Sequence, residues 1–204
     1  MNRFFLLALL AFLWTAWCFL HSVLISRKVT VWFKGFMAGK YGYFRLAYNV
    51  FSLFTLVPVV YFQFSLAQKV IFAWPWPWTP VKYCMYAMAL LLFYAGARVY
   101  DLKYMIGIRQ MQEMRPGSSQ APMELSTGGI HCYVRHPWYG GAILLVWAFG
   151  DITDVSLVSK IILTLYIIAG TLLEEKKLTA EIGEPYRRYR KRVPMFIPWK
   201  KGKC

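Results

Sequence analysis

Long apolar segments constrain the fold of this chain more than any other feature. Residues 4–25, 44–66 and 81–99 are each about 20 residues long and contain few charged groups, which is the length that a helix needs to cross a hydrocarbon core of about 30 Å. Backbone groups inside a bilayer must be paired within the segment, so helices are favoured there. The sequence therefore predicts an all-α, polytopic membrane protein.

Two further apolar segments predict a helical hairpin. Residues 138–150 are apolar, Asp151-Ile-Thr-Asp154 interrupts them, and residues 155–173 are apolar again. The total is then about five transmembrane helices. Residues 100–113 alternate apolar and polar groups on a helical period, which predicts an additional helix lying in the membrane interface.

The first apolar segment has a second interpretation as a cleaved signal peptide, because a basic residue, Arg3, precedes it. No Ala-x-Ala-like cleavage site follows it, and the pair Arg27-Lys28 is typical of a stop-transfer flank. We therefore expect a membrane span.

The positive charge of the chain is distributed asymmetrically. The net charge is +15, and all but four of the 24 Lys and Arg residues lie between spans one and two, between spans three and four, or after residue 175. This asymmetry predicts an external N-terminus and a cytoplasmic C-terminus, in the cytoplasmic (inner) membrane if the source is bacterial. It indicates contact with anionic membrane lipid and not with nucleic acid.

A Pro- and Gly-containing loop, residues 115–122, predicts a division of one folded unit into two parts. Residues 1–115 form an N-terminal transmembrane scaffold, and residues 116–204 form a C-terminal region that contains the hairpin. Within the scaffold, Arg45 and Asn49 are spaced to share one helical face. His21, near the end of the first span, is expected to be solvated.

The residues with chemical potential gather in the C-terminal part. Arg135-His136-Pro137 begins a helix, and free N–H groups beside a cation suit a carboxylate or phosphate. Glu174-Glu175 ends the hairpin, where acidic groups are costly unless they pair with Arg135 and His136 or with a ligand ammonium. A zwitterion that carries an adjacent sulfonium, as in S-adenosylmethionine, fits such a set.

Two other interpretations of these residues are available. Arg135, Glu174 and Glu175 are also suited to an ion network that only anchors the hairpin. His131, Cys132 and His136 are metal-ligand types, but their spacing matches no common site, so no metal is predicted.

Five ordered motifs over roughly 75 residues resemble the isoprenylcysteine carboxyl methyltransferase and phospholipid methyltransferase superfamily of membrane enzymes. The motifs are Thr127-Gly-Gly129, Arg135-His-Pro-Trp-Tyr-Gly140, Glu174-Glu175, Gly183-Glu-Pro-Tyr186 with Tyr189, and Val193-Pro194 with Pro198. The N-terminal half is similar to bacterial members, including membrane thiol S-methyltransferases and NnrU-type proteins.

The resemblance implies a set of residues that contact S-adenosylmethionine. They are Glu124, Leu125, Ser126, His131, Arg135, His136, Pro137, Trp138 and Glu174. The prenylcysteine enzymes have a substrate-contacting Arg one turn before the Glu pair, but this chain has Gly170 there. The resemblance therefore does not extend to methylation of a prenylcysteine carboxylate.

The function that follows is methyl transfer from S-adenosylmethionine to a lipophilic or small thiol or carboxyl acceptor at the membrane. The protein needs to align donor and acceptor and to exclude water, and His131 or His136 is a candidate proton acceptor for a thiol. A non-catalytic NnrU-type accessory protein and a NADPH-dependent membrane reductase are the alternatives.

Overall fold

The computed structural model describes residues 2–37, 42–108 and 127–199, without the side chains of Arg27, Lys34 and Tyr104. Within these ranges most of the chain is helical, as predicted. The α-helices are α1 (Arg3–Ile25), α2 (Arg27–Met37), α3 (Phe44–Ser65), α4 (Thr79–Ala97), α5 (Leu102–Ile106), α6 (Pro137–Ala148), α7 (Asp154–Ile182) and α8 (Glu184–Arg192). A short 3₁₀ helix (Gly129–Cys132) precedes α6, and β1 (Val70–Phe72) pairs with β2 (Ile152–Thr153).

Among the described residues, four helices are long and apolar enough to cross a membrane, namely α1, α3, α4 and α7. Large apolar side chains on their surfaces are exposed, including Phe12, Phe54, Leu90 and Leu165. Such side chains are suited to contact with lipid tails. The four helices fit an integral membrane protein, in agreement with the prediction.

The fourth predicted span, residues 138–150, is shorter than the others. It forms α6, which has 12 residues and is therefore about 18 Å long, too short to cross the hydrocarbon core by itself. The predicted hairpin with α7 is present. The turn between the two helices contains β2, and Thr153 and Ser156 then form a reciprocal capping box at the start of α7.

The chain divides into two compact units, Met1–Gln68 with Asp101–Pro122, and Lys69–Tyr100 with Met123–Cys204. The second unit thus combines α4 with the helices of the C-terminal region. The boundary predicted at residues 115 and 116 lies outside the described residues.

In the first unit, polar side chains join α1 to α3. The Trp14 Nε1 donates to Gln63 at 2.8 Å. Expected to be solvated, His21 is instead half-buried: its ring lies 2.8 Å from the Tyr48 hydroxyl and 3.2 Å from the Ser52 hydroxyl. Hydrogen bonds of this kind hold helices together within a bilayer.

The end of α5 is also held by side chains of α3. Arg45 and Asn49 share one face, as their spacing predicted, and both donate to the Met105 carbonyl, at 3.1 and 3.3 Å. Gly107 follows with φ of 101°, and a side chain there would collide with the backbone of Leu46. Glycine therefore permits the close approach of this turn to α3.

In the second unit, α6 packs closely on α4. Gly96 of α4 faces the indole of Trp138, and a Cβ at position 96 would overlap that ring. Gly141 lies against the Ala89 backbone, where a Cβ would stand 3.2 Å from the carbonyl oxygen. Small residues thus let these helices approach, as they commonly do in membrane proteins.

A buried lysine, Lys160 of α7, caps the C-terminal end of α6. Its side chain is inaccessible to solvent, with 3% exposure. The Nζ donates to the carbonyls of Val146 at 2.6 Å and Phe149 at 2.8 Å. These carbonyls have no partner within α6, and a cation at a helix C-terminus is also favoured by the helix dipole.

Candidate functional site

The segment before α6 is held by the C-terminal tail of the second unit. The backbone N–H of Arg135 donates to the Pro194 carbonyl at 2.9 Å, and that of His136 donates to the Met195 carbonyl at 3.1 Å. The Tyr189 hydroxyl donates to the His131 carbonyl at 2.7 Å. These bonds hold the Arg135-His136 pair, at the start of α6, against the residues that follow α8.

Glu175 is the centre of a buried ionic cluster, which we define as Arg135, His136, Glu175 and Arg190. The Glu175 side chain is 1% exposed. Its Oε1 lies 2.6 Å from the Arg135 guanidinium and 3.2 Å from His136 Nε2. Its Oε2 lies 3.1 Å from Arg190 Nε, which is an ion-pair distance. The two groups are not oriented for a hydrogen bond, and Oε2 accepts none from the described residues.

Arg135 has its other donors engaged as well. Its Nη1 donates to the Arg190 carbonyl at 3.0 Å and to the Val193 carbonyl. Through one guanidinium, Arg135 therefore joins the start of α6 to α7 and to the C-terminal end of α8, as the ion-network interpretation describes. In this geometry it supports the site by orienting Glu175 and the tail.

Glu174, the neighbouring acid, faces a different set of groups. Its carboxylate acts electrostatically on the hydroxyl groups of Tyr139 and Tyr100. Its side chain is partly exposed. Adjacent residues of a helix point about 100° apart, so one acid completes the ionic cluster while the other is presented to an aromatic surface.

This aromatic surface consists of Tyr100, His131, Trp138 and Tyr139. The ring of Tyr100 meets that of Trp138 edge-on at 5.0 Å and that of His131 at 5.2 Å. Tyr139 stacks on His136, with 5.6 Å between the ring centres. Burial and the nearby Glu174 charge raise the pKa of the Tyr100 hydroxyl, so that it stays protonated at neutral pH.

Trp138 and Pro137 are positioned by the packing of α6. The Trp138 Nε1 donates to the Phe93 carbonyl at 3.0 Å. Pro137 is buried in the first turn of α6, a position where its missing N–H removes no hydrogen bond.

His131 is the buried member of this surface, and only 7% of the residue is exposed. Burial lowers its pKa, although nearby backbone groups oppose the shift. The imidazole is therefore neutral at pH 7 and has a nitrogen that can accept a proton.

Of the residues predicted to contact a cofactor, Glu174, His131, Trp138 and the segment Arg135–Pro137 converge at the start of α6 and the end of α7. Glu124, Leu125 and Ser126 lie outside the described residues. Gly170, one turn before Glu174, has open space beside its Cα. In the described ranges, no group of three or more His, Cys, Asp and Glu side chains is arranged to hold a metal ion.

Sequence reasoning missed Tyr100 and Arg190 as parts of this arrangement. Tyr100 follows α4, far from the other residues along the chain, and no pattern in its neighbourhood marks it. Arg190 lies in a basic run that indicates lipid contact, but it is spaced by one helical repeat from Tyr186 and Val193, which are buried. That spacing was an available signal that one Arg of the run faces α7.

The fold and the site together define an α-helical membrane protein with an acidic and aromatic site at one end of a hairpin. Known proteins of similar sequence are methyltransferases. The methanethiol S-methyltransferase of Crocosphaera subtropica is 27% identical over 88% of this chain and 69% of its own length. Methanethiol S-methyltransferase 1 of Bradyrhizobium diazoefficiens is 28% identical over 89% of this chain and 63% of its length.

A more distant match is the protein-S-isoprenylcysteine O-methyltransferase of Schizosaccharomyces pombe, which is 35% identical over 36% of this chain and 33% of its length. No family model matches the chain, and no solved structure matches it. These similarities support the isoprenylcysteine carboxyl methyltransferase-like superfamily of membrane methyltransferases. The chain spans about two thirds of the length of the two bacterial relatives.

Proposed function

We propose that this protein is an S-adenosylmethionine-dependent methyltransferase that methylates a small thiol at the membrane. The observation that carries the proposal is the position of Glu174. Its carboxylate lies beside the aromatic surface, while Glu175 next to it balances the buried Arg135 guanidinium. A carboxylate and π faces at one place suit a ligand that carries both an ammonium and a sulfonium group.

The residues present fit S-adenosylmethionine. Glu174 would hold its amino group, and the rings of Tyr100, Trp138 and Tyr139 would lie beside its sulfonium. When bound, this cofactor supplies a methyl group that is already strongly electrophilic. The protein therefore has to hold the two reactants in line and keep water away.

Two observations support this acceptor class. The relatives with the longest matched segments are named for methanethiol, and Gly170 leaves open space at the place where the prenylcysteine enzymes have an Arg. A small uncharged thiol needs no such cation. A thiol must lose its proton when its sulfur gains the methyl group, and the neutral imidazole of His131 would accept that proton.

The membrane topology completes the proposal. The distribution of Lys and Arg favours an external N-terminus and a cytoplasmic C-terminus. The hairpin end that carries Glu174 and Arg135 would then face the compartment that supplies S-adenosylmethionine.

The direct test uses the purified full chain in a neutral detergent, with S-adenosylmethionine labelled in its methyl group. We expect label to appear in dimethyl sulfide when methanethiol is added and not when a prenylcysteine carboxylate analogue is added. Titration with NADPH is the control for the reductase alternative. No binding of S-adenosylmethionine, or saturable binding of NADPH alone, would contradict the proposal.

A second prediction concerns pH and His131. If His131 accepts the thiol proton, kcat/KM should fall as the pH drops through the lowered pKa of His131, below about 6.5, and stay level from there to about pH 8. Replacement of His131 by Gln should reduce kcat/KM by about a hundredfold and remove the plateau. A wild-type rate that keeps rising tenfold per pH unit between 7 and 8 would show that free thiolate reacts without this base.

A further inference from the structure

A cavity of about 530 Å³ lies between the end of α7 and α8, and basic side chains dominate its lining. This volume lies in the range of small-molecule sites. The lining side chains are Arg135, Thr179, Glu184, Arg187, Arg190 and Lys191. The lining thus contains four cationic side chains and one carboxylate.

Two of the four cations are held in place by the buried carboxylate of Glu175. Arg135 and Arg190 both contact the buried Glu175, at 2.6 and 3.1 Å. Arg190 also donates from Nη1 to the Thr179 hydroxyl at 3.4 Å. Its side chain is still 42% exposed, so it reaches the cavity in a defined position. A guanidinium that is already ordered loses less entropy when it binds an oxyanion.

The other two cations belong to one face of α8. Tyr186, Tyr189 and Val193 pack together against α7, which directs Arg187 and Lys191, one helical turn apart, towards the cavity. Glu184 lines the cavity too and lies 3.8 Å from Arg187 Nη1. An anion in the cavity would share Arg187 with Glu184, and a net positive charge remains.

The depth of the cavity in the membrane follows from the length of α7. This helix has 29 residues and is therefore about 43 Å long, which exceeds a hydrocarbon core of about 30 Å. Its last turns, with Thr179, project beyond the apolar layer to the level of the lipid headgroups. Clusters of Lys and Arg at that level recognise phosphate.

We propose that the cavity lined by Arg187, Arg190 and Lys191 binds a phosphate group. The phosphate belongs either to the headgroup of an anionic lipid or to a small phosphate in the aqueous phase, since both present the same oxyanion. The site is distinct from the aromatic surface and from Glu174, and it does not depend on the proposed methyl transfer.

The experiment uses the purified full chain in a neutral detergent, titrated calorimetrically with short-chain phosphatidylglycerol, with diacylglycerol of the same chains, and with inorganic phosphate. We expect saturable binding of phosphatidylglycerol and none of diacylglycerol. If inorganic phosphate displaces the lipid, the aqueous source is supported. If it does not, the lipid headgroup is supported.

A matched pair of double variants separates a built site from general charge. Arg187→Gln with Lys191→Gln should weaken binding by about 25-fold, about fivefold for each basic group. Arg188→Gln with Arg192→Gln removes the same charge from the same helix, but neither residue lines the cavity, so binding should stay within about twofold of wild type. Binding of S-adenosylhomocysteine should be unchanged in both.

Three results would overturn the proposal. The first is no saturable binding of either phosphate compound, and the second is an equal loss in the two double variants. The third is a loss of S-adenosylhomocysteine binding in the Arg187 and Lys191 variant, which would make the cavity part of the cofactor site. A failure of methyl transfer in the wild type, by contrast, would leave these binding results unaffected.

Discussion

Replacing Glu175 by glutamine is expected to destabilise the protein by about 3–5 kcal/mol, because the change leaves the buried Arg135 guanidinium without its anion. Arg135 and His136 are 8% and 6% exposed at their side chains, so water cannot replace the carboxylate. For a chain of this size, the midpoint of thermal unfolding should fall by about 10 °C. Thermal unfolding of the purified variant in detergent measures the effect.

The matched control is Glu181→Gln on the same helix. Glu181 is 41% exposed and lies 3.9 Å from Lys177, so its loss should cost less than about 1 kcal/mol. Equal midpoints for wild type and Glu175→Gln would contradict a structural role for the ionic cluster.

Replacing Glu174 by glutamine is expected to leave the midpoint of unfolding near that of wild type and to weaken binding of S-adenosylhomocysteine by about 10- to 100-fold. The side chain is partly exposed and balances no buried cation, so stability does not depend on its charge. A hydrogen bond from an ammonium to a carboxylate is worth about 1.5–3 kcal/mol, and glutamine keeps the shape but not the charge. Isothermal titration and the methyl-transfer assay measure the loss.

The two variants form an informative pair because they remove the same charge from adjacent positions. We expect Glu175→Gln to lower stability and Glu174→Gln to lower affinity. An unchanged affinity in Glu174→Gln would remove this residue from the cofactor site and would leave the aromatic surface without its proposed ligand contact.

The membrane helices could be predicted from the sequence because apolar length is a local property. The bounds of α1, α3 and α4 agree with the predicted spans to within two residues. The sequence indicated the shortness of α6, because the apolar segment ends early at Asp151. It did not indicate which residue caps the end of that helix. That cap comes from Lys160, a residue whose charge by itself indicates a loop.

The candidate site could be located but not resolved from the sequence. The motifs identified the start of α6 and the acidic pair near the end of α7. Two neighbouring glutamates in a helix have the same side chain, however, and they differ only in the direction in which each side chain points. Which of Glu174 and Glu175 meets Arg135 depends on the rotation of α7, which packing decides. The same holds for His21. The sequence around a histidine near a helix end looks the same whether its ring contacts water or the Tyr48 hydroxyl.

The Lys160 cap has a geometric consequence for the site at the other end of α6. Lys160 and Glu175 are separated by 15 positions of α7, or about 22 Å, and each of them binds one end of the shorter helix. The position of α6 along α7 is therefore fixed at two points, by the Lys160 cation at one end and by the Glu175 anion at the other. One residue inserted into α7 between these contacts would turn Glu174 by about 100° and direct it away from Tyr139, even though every side chain of the site was kept.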